Sequence, residues 1–101
     1  LDDHPKVLDI REQFPLPLKE TMAIAVTQNI RHGQVKGEPK TMTTDFLVDL
    51  PHKQIAISVK PFNKITRRVL QKFQIEADYW ATQNVQLIIC TEREIDRLEL
   101  N

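Results

Sequence analysis

Apolar and polar residues alternate most regularly between residues 41 and 61, and this alternation predicts a β-hairpin. The first predicted strand covers residues 42–50, Pro51 interrupts the pattern, and the second strand covers residues 55–60. The other predicted elements precede or follow this hairpin, so we expect it to form the centre of the fold.

Each arm of the hairpin has one largely apolar face. We expect that face to be buried, because its burial fixes the register and excludes a slip by one residue. Its members are Phe46, Val48, Ile57 and Val59. On the other face Asp45 lies near Ser58 and Lys60, since directly opposed Cβ atoms are about 4.5–5.5 Å apart. A carboxylate and an ammonium group at that separation can act on one ligand or metal ion, or they can form a cross-strand ion pair.

Periodicity also predicts the elements on either side of the hairpin. In chain order they are a strand at 7–14, a helix at 19–31, a loop at 34–40, the hairpin, a helix at 66–84, a strand at 85–90 and a short helix at 92–99. Asn63 suits the N-cap of the long helix. The apolar run at 85–90 is typical of a strand covered on both faces, and its position after the helix predicts parallel pairing with the strand at 55–60.

Length and charge limit the classes of function. A chain of 101 residues is large enough for one domain that folds without disulfides or metal. The 14 Lys and Arg residues balance 14 Asp and Glu residues, so the chain as a whole lacks the basic character of a nucleic-acid binder. DNA affinity would therefore come from partner subunits, another domain or one local basic cluster, which is either a phosphate-binding site or a solvated helix face. That cluster comprises Lys64, Arg67, Arg68 and Lys72.

Cysteine content and hydropathy indicate the compartment. The single Cys90 lies in an apolar run, which excludes an internal disulfide and favours a buried structural thiol over a nucleophile. No apolar run approaches the ~20 residues of a membrane span, and no signal peptide is visible. These features predict a cytoplasmic protein that does not enter a membrane.

Asp45 followed by Ser58-Val59-Lys60 has the residue order of a nuclease site. Restriction-endonuclease-like nucleases carry an Asp on the first arm of such a hairpin and an acid-x-Lys motif on the second. Carboxylates there hold Mg²⁺, a hard cation that prefers oxygen ligands, and the Lys orients a water or stabilises the departing oxygen. In this chain Ser58 occupies the position of the acid.

Longer segments resemble one family of these nucleases. The chain is similar, in order and over nearly its whole length, to the N-terminal catalytic domain of TnsA, the endonuclease subunit of heteromeric cut-and-paste DNA transposases. The similar segments are VLDIREQFPL (7–16), MTTDFLVD (42–49), IAISVKP (55–61), EADYW (76–80) and IICTEREI (88–95). The resemblance implies a restriction-endonuclease-like α/β fold, with a mixed sheet made of an antiparallel hairpin plus a parallel strand and with flanking helices.

The same resemblance implies a reaction and its partners. It implies an Mg²⁺-dependent DNA endonuclease, with Mn²⁺ able to substitute, that cleaves at the 5′ ends of the transposon. The implied partners are the transposon-end DNA, a DDE-type recombinase subunit and an ATP-dependent transposition regulator, in a bacterial cytoplasm. Asp45 matches the metal-binding Asp of the family, Lys60 matches the catalytic Lys, and Ser58 matches a second metal-ligand position. The backbone carbonyl of Val59 is a further implied ligand.

The chain departs from the family pattern in three ways. The family has a catalytic Glu on a helix before the first strand and a C-terminal DNA- and partner-binding domain, and both lie outside residues 1–101. Ser58 also has a shorter side chain than the Gln that the best-known member of the family has at this position. We therefore expect an endonuclease domain truncated at both ends, with weak metal binding and little cleavage by the isolated 101 residues. The alternative is a catalytically degenerate nuclease-fold module that mediates protein or DNA contacts in the transposition complex, and Ser58 favours it.

Overall fold

The computed structural model describes residues 7–93, so most of the predicted helix at 92–99 lies outside the described residues. The helices and strands are β1 (Asp9–Pro15), α1 (Leu18–Gln28), β2 (Gln34–Val35), β3 (Glu38–Pro39), β4 (Thr43–Asp49), β5 (Gln54–Val59), α2 (Arg67–Thr82) and β6 (Gln86–Cys90). A single 3-10 turn at Phe62–Lys64 precedes α2.

Four strands form one mixed sheet in the order β1-β4-β5-β6. The β1–β4 and β4–β5 pairs are antiparallel, whereas β5 and β6 are parallel and are joined through α2. The predicted hairpin and the predicted parallel strand are therefore confirmed. An antiparallel hairpin followed by a crossover helix and a parallel strand is the arrangement expected of a restriction-endonuclease-like fold.

The buried face of the hairpin is the opposite of the predicted one. Phe46 pairs with Ile57, but both side chains are only partly buried. The residues next to them, Leu47 and Ala56, also pair and are 2% and 0% exposed. The prediction failed because large aromatic side chains on α2 fill this core, and a small residue such as Ala56 lets the helix approach the sheet.

Both α-helices contribute to a core on that one face of the sheet. Tyr79 and Trp80 of α2 pack with Leu47 and Ala56, and Ile24 of α1 packs against the same cluster. On the opposite face Ile10 is 53% exposed, and no helix of residues 7–93 contributes to a core there.

Helix α2 begins later along the chain than an N-cap at Asn63 would require. Lys64 N–H donates to the Pro61 carbonyl at 2.9 Å, so this segment closes the 3-10 turn. Thr66 is the N-cap of α2, and its hydroxyl accepts from the Val69 N–H at 3.2 Å. The prediction of Asn63 as the cap is therefore wrong, because the 3-10 turn uses the residues that would have formed the first helical turn.

The segment predicted as a loop at 34–40 contains a small β-hairpin. Its strands β2 and β3 are joined by Lys36 and Gly37, whose φ angles are 52° and 79°. Two successive positive φ angles characterise the type I′ turn, which matches the twist of a hairpin. At the base, Lys40 N–H donates to the Gly33 carbonyl at 2.9 Å, so Lys40 has a defined position.

The last strand is less covered than its apolar sequence predicts. Ile89 is 37% exposed and Cys90 is partly exposed. Within residues 7–93, β6 is therefore not covered on both faces, and the Cys90 thiol is not fully buried.

Neither α-helix of residues 7–93 is long and apolar enough to span a membrane.

Candidate active site

Asp45 lies at an irregular point of the sheet. Backbone pairing between β1 and β4 is interrupted at Gln13 and Asp45, and Gln13 has a φ of 49°. Thr44 and Leu47 are both buried, at 0% and 2% exposure, although residues three apart in a regular strand lie on opposite faces. The strand therefore changes its facing direction next to Asp45.

Two hydrogen bonds hold the Asp45 carboxylate. Regular pairing of β4 with β5 ends at Phe46 and Ile57. Beyond that point the Val59 N–H donates to Asp45 Oδ2 at 2.7 Å, so the carboxylate replaces a strand carbonyl as the acceptor. Gln13 Nε2 donates to Asp45 Oδ1 at 3.4 Å. The sheet irregularity thus directs the Asp45 side chain toward the end of β5.

The predicted catalytic and metal-binding residues line one cavity of about 280 Å³. Its lining includes Asp45, Ser58, Val59, Lys60, Lys40, Lys72 and Glu76. Lys60 follows β5, and its N–H donates to the Cys90 carbonyl at 3.0 Å, which fixes its backbone beside β6. The salt bridges within residues 7–93 join Arg11 to Asp9 and Asp49, so the alternative Asp45–Lys60 ion pair does not form.

Glu76 of α2 also reaches this cavity, and the sequence did not mark it as a site residue. It is 4% exposed, and its Oε2 accepts from the hydroxyls of Ser58 at 2.5 Å and Thr44 at 2.6 Å. The Trp80 indole N–H in turn donates to Thr44 Oγ1 at 2.8 Å. The sequence feature that could have identified Glu76 is its position one helical turn before Trp80, on the face of α2 that packs on the sheet.

Burial raises the pKa of Glu76 above the usual range of a glutamate. Hydrogen bonds from Ser58 and Thr44 oppose this shift because they stabilise the charged form, while the nearby charge of Asp45 adds to it. A buried carboxylate with a perturbed pKa beside a second carboxylate is typical of a functional site.

The predicted basic cluster is divided by the structure. Lys72 lines the cavity. Burial makes the largest contribution to lowering its pKa, and the charges of Arg68, Lys40 and Lys60 lower it further. Arg68 lies one helical turn before Lys72 on α2. Lys64, on the 3-10 turn, and Arg67, at the start of α2, are exposed and lie outside the cavity lining.

The oxygen donors at the cavity fit a hard cation that keeps part of its water shell. Residues 7–93 contain no group of three or more His, Cys, Asp or Glu side chains that could hold a metal ion. The cavity offers the carboxylates of Asp45 and Glu76 and the hydroxyl of Ser58. Mg²⁺ is commonly held by one or two carboxylates with water completing its octahedron, so these donors suit it.

Comparison with known proteins identifies the family of this chain. Residues 4–92 match the family model described as TnsA-like endonuclease N terminal. The chain belongs to the TnsA-like endonuclease family. It is 41% identical over 100 residues to the Transposon Tn7 transposition protein TnsA of Escherichia coli, an alignment that covers 95% of this chain and 37% of that protein. The family suggested by the sequence segments is thus confirmed, and this TnsA-like chain spans 37% of the length of that relative.

Proposed function

We propose that this TnsA-like domain is the catalytic domain of an Mg²⁺-dependent DNA endonuclease, a subunit of a heteromeric cut-and-paste transposase that cleaves at the 5′ ends of the transposon. One observation supports it above all: Asp45, Lys60 and Glu76 line a single cavity in a TnsA-like endonuclease domain. The name of the Escherichia coli relative, a transposition protein, supports transposon DNA as the substrate.

Asp45 and Glu76 are the residues that would hold the metal ion, with the Val59 carbonyl as a further oxygen donor. A bound Mg²⁺ supplies a water of lowered pKa and stabilises negative charge on the phosphodiester. The Val59 N–H orients the Asp45 carboxylate through its 2.7 Å hydrogen bond. Ser58 orients Glu76 in the same way, since its hydroxyl donates to Oε2 at 2.5 Å. The role of Ser58 in this proposal is therefore to position a carboxylate.

Lys60 supplies a positive charge at the same cavity. Its side chain is partly buried, and its backbone is held between the end of β5 and Cys90. A preorganised cation in a partly desolvated site stabilises charge that develops in the transition state more strongly than it would in water. In this proposal Lys60 either stabilises the negative charge on the leaving oxygen or orients the attacking water.

The other members of the proposed complex supply binding energy for DNA that this domain lacks. The domain carries 14 basic and 14 acidic residues, so it has no overall excess of positive charge with which to attract DNA. We therefore propose that a DDE-type recombinase subunit and an ATP-dependent transposition regulator, together with other parts of the natural protein, bring the transposon ends to the cavity.

Strand nicking tests the proposal. The full-length natural protein is assembled with its recombinase on transposon-end DNA, and 5′-end nicking is measured with Mg²⁺ or Mn²⁺. We expect Asp45→Ala and Lys60→Ala each to reduce nicking at least about a hundredfold, because the first removes a carboxylate that would hold the metal ion and the second removes a cation that stabilises developing negative charge. Lys53→Ala is the matched control, because Lys53 is exposed in the β4–β5 turn and lies outside the cavity lining. Equal nicking by all four proteins would contradict the proposal.

One observation favours a second function, that of an inactive interaction module. Ser58, which replaces a metal-ligand side chain of the family, is 4% exposed and donates its hydroxyl proton to Glu76. A module of this kind would assemble with the recombinase normally but would show no nicking in either Mg²⁺ or Mn²⁺, so the same experiment separates the two functions.

A further inference from the structure

Three lysines from different elements converge on the proposed cavity. Lys40 follows β3, Lys60 follows β5, and Lys72 belongs to α2, and all three line the same cavity. Arg68 lies four residues before Lys72, and Glu76 lies four residues after it. Residues at this spacing share one face of a helix, so α2 presents two cations and then a buried carboxylate along one stripe.

These cations include three that lie close enough to Lys72 to repel its charge. After burial, the charges of Arg68, Lys40 and Lys60 lower the pKa of Lys72, which places these three within electrostatic reach of it. The salt bridges among residues 7–93 involve other side chains, those of Arg11, Asp9 and Asp49. Like charges four residues apart on a helix are destabilising, as are cations near a helix N-terminus such as Arg68. An anion placed among the four would relieve both effects.

The small hairpin fixes Lys40 on the side of the cavity that α2 does not provide. Its base is closed by the hydrogen bond from Lys40 N–H to the Gly33 carbonyl at 2.9 Å, and Gly33 also lines the cavity. Lys36 belongs to the same hairpin, but it lies in the turn and outside the lining. Lys36 and Lys40 are therefore both exposed and lie at the same small hairpin, but only Lys40 lines the cavity.

We propose that Lys40 and Lys72 form a clamp in which each lysine binds one backbone phosphate of the DNA strand, beside the phosphate that is cleaved at Asp45 and Lys60. The inference rests on the proposed nuclease function, since it takes DNA as the ligand of this cavity. Lys40 and Lys72 are positioning residues, because they act on phosphates that do not react. Lys64, Arg67 and Arg68 lie outside the lining and make no contact with these phosphates.

The salt dependence of DNA binding measures this clamp. The full-length natural protein is titrated against a fluorescein-labelled transposon-end duplex by fluorescence anisotropy, in EDTA so that the DNA is not cut. Each phosphate contact that is lost reduces the slope of log K against log salt concentration by about 0.9. We expect this reduction in Lys40→Gln and in Lys72→Gln, about twice the reduction in the double variant, and the original slope in Lys72→Arg.

Lys36→Gln is the matched control and is expected to keep the wild-type slope. Circular dichroism melting of each variant shows whether it folds, and Lys40→Gln keeps the test valid if Lys72→Gln does not fold. Wild-type slopes in both Lys40→Gln and Lys72→Gln, or equal reductions in Lys36→Gln and Lys40→Gln, would overturn the inference. If the slopes change as expected but the wild-type protein does not nick DNA, the clamp stands and the proposed nuclease function falls. If the slopes do not change but nicking persists, the nuclease function stands without the clamp.

Discussion

Glu76 connects the helix to the site through a chain of buried hydrogen bonds. Trp80 donates to Thr44, and Thr44 and Ser58 both donate to Glu76, so α2, β4 and β5 meet at one carboxylate. Removing such an acceptor leaves buried hydroxyls unsatisfied at a cost of about 1–3 kcal/mol for each group. Glu76 therefore contributes to the packing of the domain as well as to the proposed chemistry.

The raised pKa of Glu76 predicts how stability depends on pH. The folded protein binds this proton more tightly than the unfolded chain, in which a Glu has a pKa of about 4.3. Its contribution to stability is fully present below about pH 4.3 and is lost as the pH rises through the higher pKa of the folded state. Glu76→Gln keeps the acceptor oxygen but cannot ionise, so its free energy of unfolding should lack this decline.

Urea unfolding of the full-length protein at a series of pH values measures the effect. Glu38→Gln, which removes an exposed carboxylate on β3, should retain the wild-type decline. Profiles of the wild type and Glu76→Gln that run parallel over the whole range would show that Glu76 titrates as it does in the unfolded chain.

At the residue scale the sequence predicted which strand residues meet but not their helix partner. Asp45, Ser58 and Lys60 belong to a short motif whose spacing is readable, and all three line the cavity. Glu76 has no such motif, because a Glu on an amphipathic helix is normally a solvated residue. Only the packing of α2 on the sheet shows that its side chain is buried.

At the element scale, alternation gave the pairing of β4 with β5 but not the side that α2 covers. Both faces of the hairpin carry apolar residues, and the helix packs on the one that contains Ala56 and Ser58. The change of facing at Asp45 was equally hidden, because it accompanies a positive φ at Gln13, a residue type that rarely adopts this conformation. These features arise from tertiary packing and backbone geometry that periodicity does not encode.

The start of α2 gives a prediction at this scale. Thr66→Ala removes the hydroxyl that accepts from the Val69 N–H and should lower the free energy of unfolding by about 1 kcal/mol. Asn63→Ala is the comparison, because Asn63 lies in the 3-10 turn and is exposed, and it should change stability much less. Urea unfolding of both variants measures the difference, and a larger loss in Asn63→Ala would place the cap where the sequence suggested it.

At the scale of the whole molecule, positive and negative side chains are equal in number but are not evenly distributed. The net charge is zero, yet Lys40, Lys60 and Lys72 share one cavity with Asp45 and Glu76. A site of this kind combines oxygen ligands for a cation with positive groups for a phosphate, which are the requirements of metal-dependent phosphodiester cleavage. Composition alone concealed this arrangement, whereas the order of strands and the family resemblance predicted where it would lie.

Calorimetric titration of Mn²⁺ into the full-length protein tests most directly whether the two carboxylates form one metal site. We expect Asp45→Asn and Glu76→Gln each to weaken binding at least about tenfold. Asp49→Asn, which makes the same change of charge at a carboxylate bound by Arg11 outside the cavity lining, should bind like the wild type. Wild-type affinity in both Asp45→Asn and Glu76→Gln would contradict the account, because the cavity would then not be where the ion binds.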